Sequence, residues 1–261
     1  MEQMRKPYQG VLNIIRFNWH FYVLATVAVF MIFFLKNFLS NPIKCLADVL
    51  CLGIVLTTFV SLYVSCYIYD VSDLYKLTWL EQLKIQSKGV LQYAPTTIVN
   101  INAGFDETSV LLENKYPNSE LLVFDFYDPI RHTEISIQRA RKAYPPYPNT
   151  EKITTNKIPL PNSSVDIVFL TLAAHEIRET NERIVFFNEV HRILRDEGCV
   201  IVTEHLRDLP NFLAFNIGFF HFHSVKTWDN TFQSAHFKVS KKIKVTLFVN
   251  IFKLEKHGTA S

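Results

Sequence analysis

The chain has 261 residues, enough for a pair of membrane helices and one globular domain but for little more. Its formal net charge of +3, from 27 basic and 24 acidic residues scattered along the chain, argues against a nucleic-acid partner. Its 4 cysteines form no CxxC pair, which argues against a disulfide framework or a zinc site and fits a reducing compartment.

Two long apolar runs, 19–35 and 49–69, lie near the start of the chain, and neither contains a charged side chain. Each matches the roughly 20 residues that a helix needs to cross a bilayer. We therefore predict a membrane anchor over residues 1–70, with a turn at Asn41-Pro42 between two transmembrane helices. A cleaved signal peptide fits less well, because no small-residue cleavage site follows the first run. Two buried core helices also fit less well, because such helices rarely avoid charge for so long.

Basic residues around the two runs predict their orientation. Only Lys36 and Lys44 lie between the runs, whereas more basic residues precede the first run and follow the second. The positive-inside bias therefore favours a cytoplasmic location for both ends of the pair. An amphipathic stretch follows, capped at Ser72-Asp73, and predicts a linker helix over 71–92 at the membrane interface. The same stretch could instead pack on the domain that follows.

From residue 93 onward, β-branched runs alternate with helical patterns. Strands are predicted at 97–101, 121–124, 165–169 and 199–203, with two closing strands in 236–257. Helices are predicted at 107–116, 130–143 and 181–194. This alternation predicts an α/β domain over 93–261, with parallel βαβ units and helices on both faces of the sheet. Ligands of such sheets bind beyond the carboxyl ends of the strands.

The loop after the first predicted strand, residues 100–108, lies between a strand and a helix and contains Gly104. Such a loop can offer backbone N–H groups to an anionic group. Asp125, at the tip of the next predicted strand, is placed to accept both hydroxyls of a ribose. The pair therefore indicates a nucleotide site, although the usual three glycines are missing.

Three later segments follow in a characteristic order. They are IPLPNSSVDIVF at 158–169, LAAHEI at 172–177 and FNEVHRILRDEGCVIV at 187–202. They resemble, in turn, the LPFPDNSFDVV, ALHH and EI.RVLKPGG.LVI stretches of class I S-adenosylmethionine-dependent methyltransferases, in the group that includes quinone-biosynthesis C-methyltransferases. The resemblance covers roughly residues 95–205. It implies a Rossmann-like, seven-stranded methyltransferase sheet and S-adenosylmethionine as the cofactor.

The nucleotide loop departs from the family pattern of an acidic residue and three alternating glycines. Asn100 stands at the acidic position, Asn102 at the first glycine and Asp106 at the last. Asn is the best replacement for glycine at positive φ, so Asn102 can preserve the turn. The string from Asn100 to Thr108 also resembles the loop of leucine carboxyl methyltransferase-type enzymes, in which Asp takes the last position.

The resemblance implies cofactor contacts along the sheet edge. They are Asn100, Asn102 and Gly104 at the methionine end, Asp125 at the ribose, Phe126 and the loop containing Thr155 and Asn156 at the adenine, and Thr171 and Leu172 beneath the sulfonium. The alternative for Asp125 is a turn or helix-capping carboxylate. No metal site is predicted, because His221 and His223 have no acidic or cysteine residue close in sequence.

Methyl transfer from a sulfonium requires mainly alignment and exclusion of water, and a general base helps only an acceptor that loses a proton. Candidates for that base lie after the third and fourth strands: His175, Glu176, Glu204 and His205. Each of them could instead be structural, with His175 packed under the cofactor and His205 capping the next segment.

The aromatic-rich segment 212–228 would lie over the acceptor as a lid, dip into the bilayer, or contribute its rings to the core. We therefore predict methyl transfer to a hydrophobic, membrane-associated acceptor: a lipid, a quinone precursor or an aromatic polyene. The alternative is a non-catalytic, methyltransferase-like membrane scaffold. A dinucleotide oxidoreductase is disfavoured because the glycine fingerprint is absent. The sequence does not predict an oligomeric state.

Overall fold

The structure is a computed structural model that describes residues 6–83, 96–131 and 134–257. Its helices are α1 (Gln9–Phe17), α2 (Trp19–Leu35), α3 (Asn41–Cys66), α4 (Trp79–Gln82), α5 (Ser109–Lys115), α6 (Ile135–Ala143), α7 (Thr180–Ile193), α8 (Leu209–Phe215) and α9 (Val225–Ser234). Its strands are β1 (Thr97–Asn102), β2 (Glu120–Asp125), β3 (Glu151–Lys152), β4 (Val165–Thr171), β5 (Leu194–His205), β6 (Phe237–Lys244) and β7 (Val249–Lys256). Short 3₁₀ turns, Ala174–Glu176 and Asn216–His221, follow β4 and α8.

The described strands form a seven-stranded sheet in the order β3-β2-β1-β4-β5-β7-β6. Strands β1 to β5 pair in parallel, whereas β7 runs antiparallel to both β5 and β6. The predicted seven-stranded α/β sheet is therefore confirmed, and its closing hairpin makes it a mixed sheet. Registers that pair Asn102 with Asp125 and Thr171 with Thr203 align the carboxyl ends along one edge. The strand order reverses between β1 and β4, where open α/β sheets bind ligands.

Apolar side chains cover both faces of this sheet. On one face, Phe186 and Phe187 of α7 pack with Phe232 of α9 in the larger buried cluster. The predicted helical spacing over 181–194 explains why α7 turns these rings inward. On the other face, Leu112 of α5 packs in a second buried cluster with Leu80 from the segment before β1. The two clusters hold the sheet edge rigidly in place, which fixes the positions of the loops that follow the strands.

The two N-terminal apolar runs form an antiparallel helical hairpin of α2 and α3. Helical segments Trp19–Phe38 and Asn41–Val71 are long and apolar enough to cross a membrane by length and composition, and the apolar window of each is 0% buried. The second helix begins earlier than the predicted residue 49, because Pro42 lies in its first turn, where its missing N–H costs nothing. A wider π turn, Tyr67–Val71, ends it.

Helix α1 joins the base of this hairpin to the globular domain. The carboxylate of Asp70 accepts the backbone N–H groups of Gly10 and Val11 at 2.7 and 2.8 Å, which caps the start of α1. A Cβ at Gly10 would overlap Tyr69, so glycine permits this close approach. At the other end of α1, Phe17 packs against Phe105 in the loop after β1. The helix therefore lies beside the predicted nucleotide loop.

The stretch predicted as an interfacial linker helix has a different structure over its described part. Only one helical turn, α4, forms there, and Leu77, Trp79 and Leu83 are buried against the sheet. The Trp79 ring N–H donates to the carbonyl of Leu74, so it does not face a membrane surface. This part therefore packs on the domain, which is the second of the two interpretations above. The remainder, residues 84–92, lies outside the described residues.

Candidate active site

The loop between β1 and α5 turns at Gly104, whose φ of +93° favours glycine. Asn102 accepts the backbone N–H of Gly104 at 2.8 Å through its Oδ1, which stabilises the turn. The Nδ2 of the same Asn102 is buried without a hydrogen-bond partner. An unpaired buried donor is costly, so this Nδ2 is suited to bind a polar ligand group.

Asn100 and Asp106 stabilise the loop from within. The Asn100 amide donates to Ser109 Oγ at 2.8 Å and to Thr108 Oγ1 at 3.1 Å. One oxygen of Asp106 accepts the backbone N–H groups of Thr108 and Ser109, both at 2.9 Å. Asn100 thus lies behind the loop, 1% exposed, and not along the methionine end as predicted. Asp106 replaces the last glycine and binds the amides that an anion would otherwise attract.

Asp125 lies at the tip of β2, but an arginine already binds it. Arg141 Nη1 donates to Asp125 Oδ2 at 2.5 Å, and the guanidinium stacks on the Tyr127 ring at 4.4 Å. The other carboxylate oxygen accepts the backbone N–H of Tyr127 at 2.8 Å. A Cβ at Gly104 would overlap the Arg141 side chain. Arg141 therefore fills the space between the glycine turn and the carboxylate, where a ribose was predicted.

The predicted adenine contacts lie elsewhere. Phe126 is 1% exposed in the core and packs on Phe186 at 5.4 Å, so its ring does not line the cleft. Thr155 is also buried and donates to Glu182 at 2.6 Å. Asn156 is exposed in a tight turn, where its Oδ1 accepts from Thr154 at 2.7 Å. The cleft side of the β2 tip instead carries Tyr127, the neighbour of the predicted Phe126.

Thr171 and Leu172 lie at the end of β4, as predicted. The Leu172 N–H donates to the carbonyl of Thr203 at 2.9 Å, and its φ of +50° marks a sharp turn out of the strand. The Leu172 side chain packs against the buried cluster at the base of the hairpin. The sulfonium end of the predicted site and the hairpin base therefore meet at this residue.

The segment after the Leu172 turn contributes to a cluster of two histidines and three glutamates. His175 Nδ1 lies 2.6 Å from Glu204 Oε2, and the backbone N–H of His175 donates to the other Glu204 oxygen at 3.1 Å. The Nε2 atoms of His175 and His221 lie 3.4 and 3.3 Å from the same oxygen of Glu176. Glu134 Oε1 lies 3.1 Å from His221 Nδ1 at the open side of the cluster.

Charge alternates along this cluster. Burial acts to lower the pKa of His175, but the carboxylates of Glu204 and Glu176 outweigh it and raise the pKa to about 10. Burial acts to raise the pKa of Glu176, but hydrogen bonds from His175 and His221 hold it well below its usual range. His175 in this state is a proton donor and not the general base that its ordinary pKa suggested.

His205 has partners on both ring nitrogens. Its Nε2 lies 2.8 Å from the hydroxyl of Tyr69, and its Nδ1 lies 3.0 Å from the Phe248 carbonyl. Burial lowers the pKa of His205 to about 4, so the ring is neutral near pH 7. Its ring stacks on Phe222 at 4.8 Å. The structure therefore gives His205 the role of joining the end of the hairpin to β5 and the aromatic segment.

Several residues of this edge could not be identified from sequence patterns. Arg141 lies 16 residues after Asp125 on α6, and no motif of the sequence links the two residues. Glu134 and His221 are far apart along the chain and meet only after folding. The one available signal for His221 was its place in the aromatic segment after β5, which was expected to cover the acceptor.

The order of strands and the position of this edge define a class of protein, the class I methyltransferases. Residues 122–202 match a family model described as a methyltransferase domain, of type 11. The matched residues 122–202 therefore belong to a class I S-adenosylmethionine-dependent methyltransferase domain of type 11, and the enzyme class of this family is EC 2.1.1. S-adenosylmethionine is the methyl donor of this family.

Two solved structures of low sequence identity share the fold, and a third aligns with most of the chain. An O-methyltransferase family 2 protein from Planctomyces limnophilus, in complex with apigenin, has a TM-score of 0.51 and 13% identity, over 77% of this chain and 61% of its own. LepI in complex with S-adenosylmethionine has a TM-score of 0.50 and 14% identity, over 67% of this chain and 46% of its own. A methyltransferase from Aquifex aeolicus has a TM-score of 0.48 and 16% identity, over 76% of this chain and 97% of its own. No curated protein matches the chain in sequence.

Three residues at the carboxyl edge of the sheet fit S-adenosylmethionine. Gly104 has the required positive φ, Asn102 offers a buried unpaired donor, and Asp125 lies at the strand tip opposite them. Arg141 is the exception, since its guanidinium lies where the ribose would bind. Its side chain is 27% exposed and belongs to the last turn of α6, so it can move into solvent without disturbing the core.

Proposed function

We propose that this protein transfers a methyl group from S-adenosylmethionine to a hydrophobic acceptor held in the membrane: a lipid, a quinone precursor or an aromatic polyene. One observation carries the proposal: the base of the apolar hairpin packs directly on the sheet edge. Val64 and Ile68 of the hairpin lie in a buried cluster with Ala214 of α8 and Val249 of β7, and Leu172 packs against it. An acceptor moving along the hairpin would therefore arrive beside the end of β4.

A second apolar surface supports this route. Helix α8 and the turn after it expose large apolar side chains, which we call the apolar patch: Leu209, Phe212, Leu213, Ile217 and Phe220. Helix α8 also contacts α3, so the patch lies on the same side of the domain as the hairpin. An exposed set of large apolar groups beside two apolar helices is typical of a surface that enters the membrane interface.

The proposed topology has two membrane spans, residues 19–35 and 49–69, with the methyltransferase domain on the cytoplasmic side. Within the described residues, Lys6 and Arg16 precede the first span and Lys76 follows the second. Lys36 and Lys44 lie between the spans, and Lys36 forms an ion pair with Asp48. The bias of basic residues toward the domain side supports a cytoplasmic domain.

The methyl donor would be held by residues of the β1 and β2 tips. Asp125 would accept the ribose hydroxyls after Arg141 moves aside, and Asn102 Nδ2 and the Gly104 turn would bind the methionine end. When bound, S-adenosylmethionine supplies a methyl group already activated by the sulfonium. The protein contributes alignment, through the rigid sheet edge, and exclusion of water, through α1 and the hairpin base.

Two measurements test the proposal on the full chain in lipid nanodiscs. The first is calorimetric titration with S-adenosylmethionine, with Asp125→Ala as the variant that should lose ribose recognition and Asp128→Ala as its control. The second is mass spectrometry of lipid extracts incubated with the loaded protein, which should reveal a product heavier by one CH₂ unit. Absence of binding would favour the non-catalytic scaffold, and competition by NAD would favour the oxidoreductase. Binding with methylation of a water-soluble acceptor alone would contradict the membrane route.

A further inference from the structure

We propose that His175, Glu176 and His221 form a binding site for a divalent transition-metal ion, and that this ion binds an oxygen of the methyl acceptor. The second part rests on the proposed function and narrows its acceptor to a hydroxylated apolar molecule. The first part concerns the chain alone and is tested separately.

The three ligand atoms converge on one point. Glu176 Oε1 lies 3.4 Å from His175 Nε2 and 3.3 Å from His221 Nε2, and all three atoms lie within 4.8 Å of one another. Metal–ligand bonds of about 2.1 Å in a tetrahedron place neighbouring ligand atoms about 3.4 Å apart. Two of the three distances therefore already have the value that a bound ion requires. His221, the most exposed ligand at 24%, would complete the set.

Both histidines are oriented by a carboxylate on the opposite side of the ring. Glu204 lies 2.6 Å from Nδ1 of His175, and Glu134 lies 3.1 Å from Nδ1 of His221. A carboxylate that accepts the Nδ1–H of a histidine turns its Nε2 toward the metal, and this pairing accompanies most metal-binding histidines. Here it occurs twice, around a shared third ligand.

Burial and ligand type indicate which ion the site prefers. Glu176 and His175 are almost fully buried, at 4% and 9% exposure, so they form a fixed site and not a solvated acidic patch. Two imidazoles and one carboxylate suit Zn²⁺, Co²⁺ or Fe²⁺ better than Mg²⁺ or Ca²⁺, which prefer oxygen ligands. Arg178 approaches from the outer side, where its guanidinium donates to the carbonyl of His221. That contact holds the His221 segment in place, and the same Arg178 nitrogen lies 3.4 Å from His221 Nδ1, on the side of the ring away from Nε2.

Three protein ligands leave at least one coordination position for another molecule, as in catalytic zinc sites. Two of the three ligands, His175 and Glu176, follow directly after the Leu172 turn, so the proposed ion would lie at the edge where the methyl group would be delivered. A hydroxyl bound there would release its proton to water, because a divalent ion lowers the pKa of a bound hydroxyl group. The acceptor oxygen would then be held as an anion, ready for alkylation.

The metal site is tested with Co²⁺ on the full chain in detergent, after treatment with a chelator. We expect one ion per chain and the visible absorption of low-coordinate cobalt, with proton release on binding. His221→Gln and His175→Gln should lose the band. Glu134→Gln, outside the ligand set, should weaken binding roughly 10–100-fold. His257→Gln, an exposed histidine outside the cluster, is the matched control. Substoichiometric cobalt in the wild type, or equal binding by wild type and His221→Gln, would overturn the site.

A second experiment tests the acceptor class on the cobalt-loaded protein. An alkylphenol should shift the cobalt absorption. The methyl ether of the same alkylphenol, which has no hydroxyl proton to lose, should not. Equal effects of the two compounds would overturn the assignment of an oxygen-bound acceptor. Calorimetry with S-adenosylmethionine on the same samples separates the two proposals. Cobalt binding without S-adenosylmethionine binding would contradict the proposed function and support the metal site. S-adenosylmethionine binding without cobalt binding would contradict the metal site and support the proposed function.

Discussion

Arg141 occupies the proposed ribose position beside Asp125, so removing its side chain should strengthen cofactor binding. To bind Asp125, the ribose must displace a charge-assisted hydrogen bond of 2.5 Å and a stacking contact of the guanidinium on Tyr127 at 4.4 Å. A hydrogen bond to a charged group contributes about 1.5 kcal/mol, and a partly exposed cation–π contact about 0.5 kcal/mol. Arg141 is 27% exposed, so solvent screening reduces their sum to about 1–2 kcal/mol.

Arg141→Ala should therefore lower the Kd for S-adenosylmethionine by roughly five- to thirtyfold, since each 1.4 kcal/mol is about a factor of ten. Calorimetric titration of the full chain in nanodiscs measures this directly. The matched control is Arg139→Ala, because Arg139 lies on the same helix but binds the carbonyl of Phe17 at 2.5 Å instead. If Arg141→Ala weakens binding, the guanidinium contacts the cofactor and does not compete with it, and our interpretation of the cleft is wrong.

Two further predictions concern stability. The pKa of His205 falls to about 4 on folding, so below its ordinary pKa of about 6.5 the unfolded chain binds a proton that the folded chain rejects. The stability that His205 contributes should therefore fall by about 2 kcal/mol between pH 7 and pH 5. Because His175 and His223 also have shifted pKa values, the test is the difference between thermal melts of the wild type and of His205→Gln; equal pH dependence in both proteins would contradict the prediction. Asp70→Ala removes two hydrogen bonds to the first turn of α1, which together stabilise the helix by about 1 kcal/mol or more. This variant should therefore expose α1 to proteolysis. Asp73→Ala, at the exposed surface, should not. Equal cleavage rates for these two variants would show that the cap does not hold the helix.

The sheet was predictable because its strands are marked locally. Short runs of β-branched or other apolar residues with turn residues on either side located β1, β2 and β4, and the end of the second run placed Asp125 at the strand tip. The closing hairpin of β6 and β7 was also anticipated. Helix α6 was placed from residue 130 but begins at Ile135. Position 129 is a proline, and propensity alone does not fix where the chain resumes helical φ and ψ after it.

The contents of the site were less predictable, because they depend on where side chains point after each strand ends. A residue directly after a strand can turn inward or outward, and this decided between Phe126, which is buried, and Tyr127, which stacks on Arg141. The cluster around Glu176 was hidden for a different reason. Its members come from segments separated by tens of residues, and neither charge pattern nor spacing links Glu134 to His221 before the sheet brings them together.

In the proposed membrane topology, the helical hairpin also determines how the enzyme is oriented. Tyr69 ends the hairpin with its hydroxyl 2.8 Å from the ring of His205, and Ile68 beside it is fully buried. These contacts fix the orientation of the domain relative to the hairpin. Any tilt of the hairpin therefore tilts the sheet edge by the same angle. In a bilayer thinner or thicker than the hairpin, mismatch would be relieved by such a tilt. Membrane thickness would then set how closely the site approaches the lipid surface, and with it the depth from which an acceptor can be drawn.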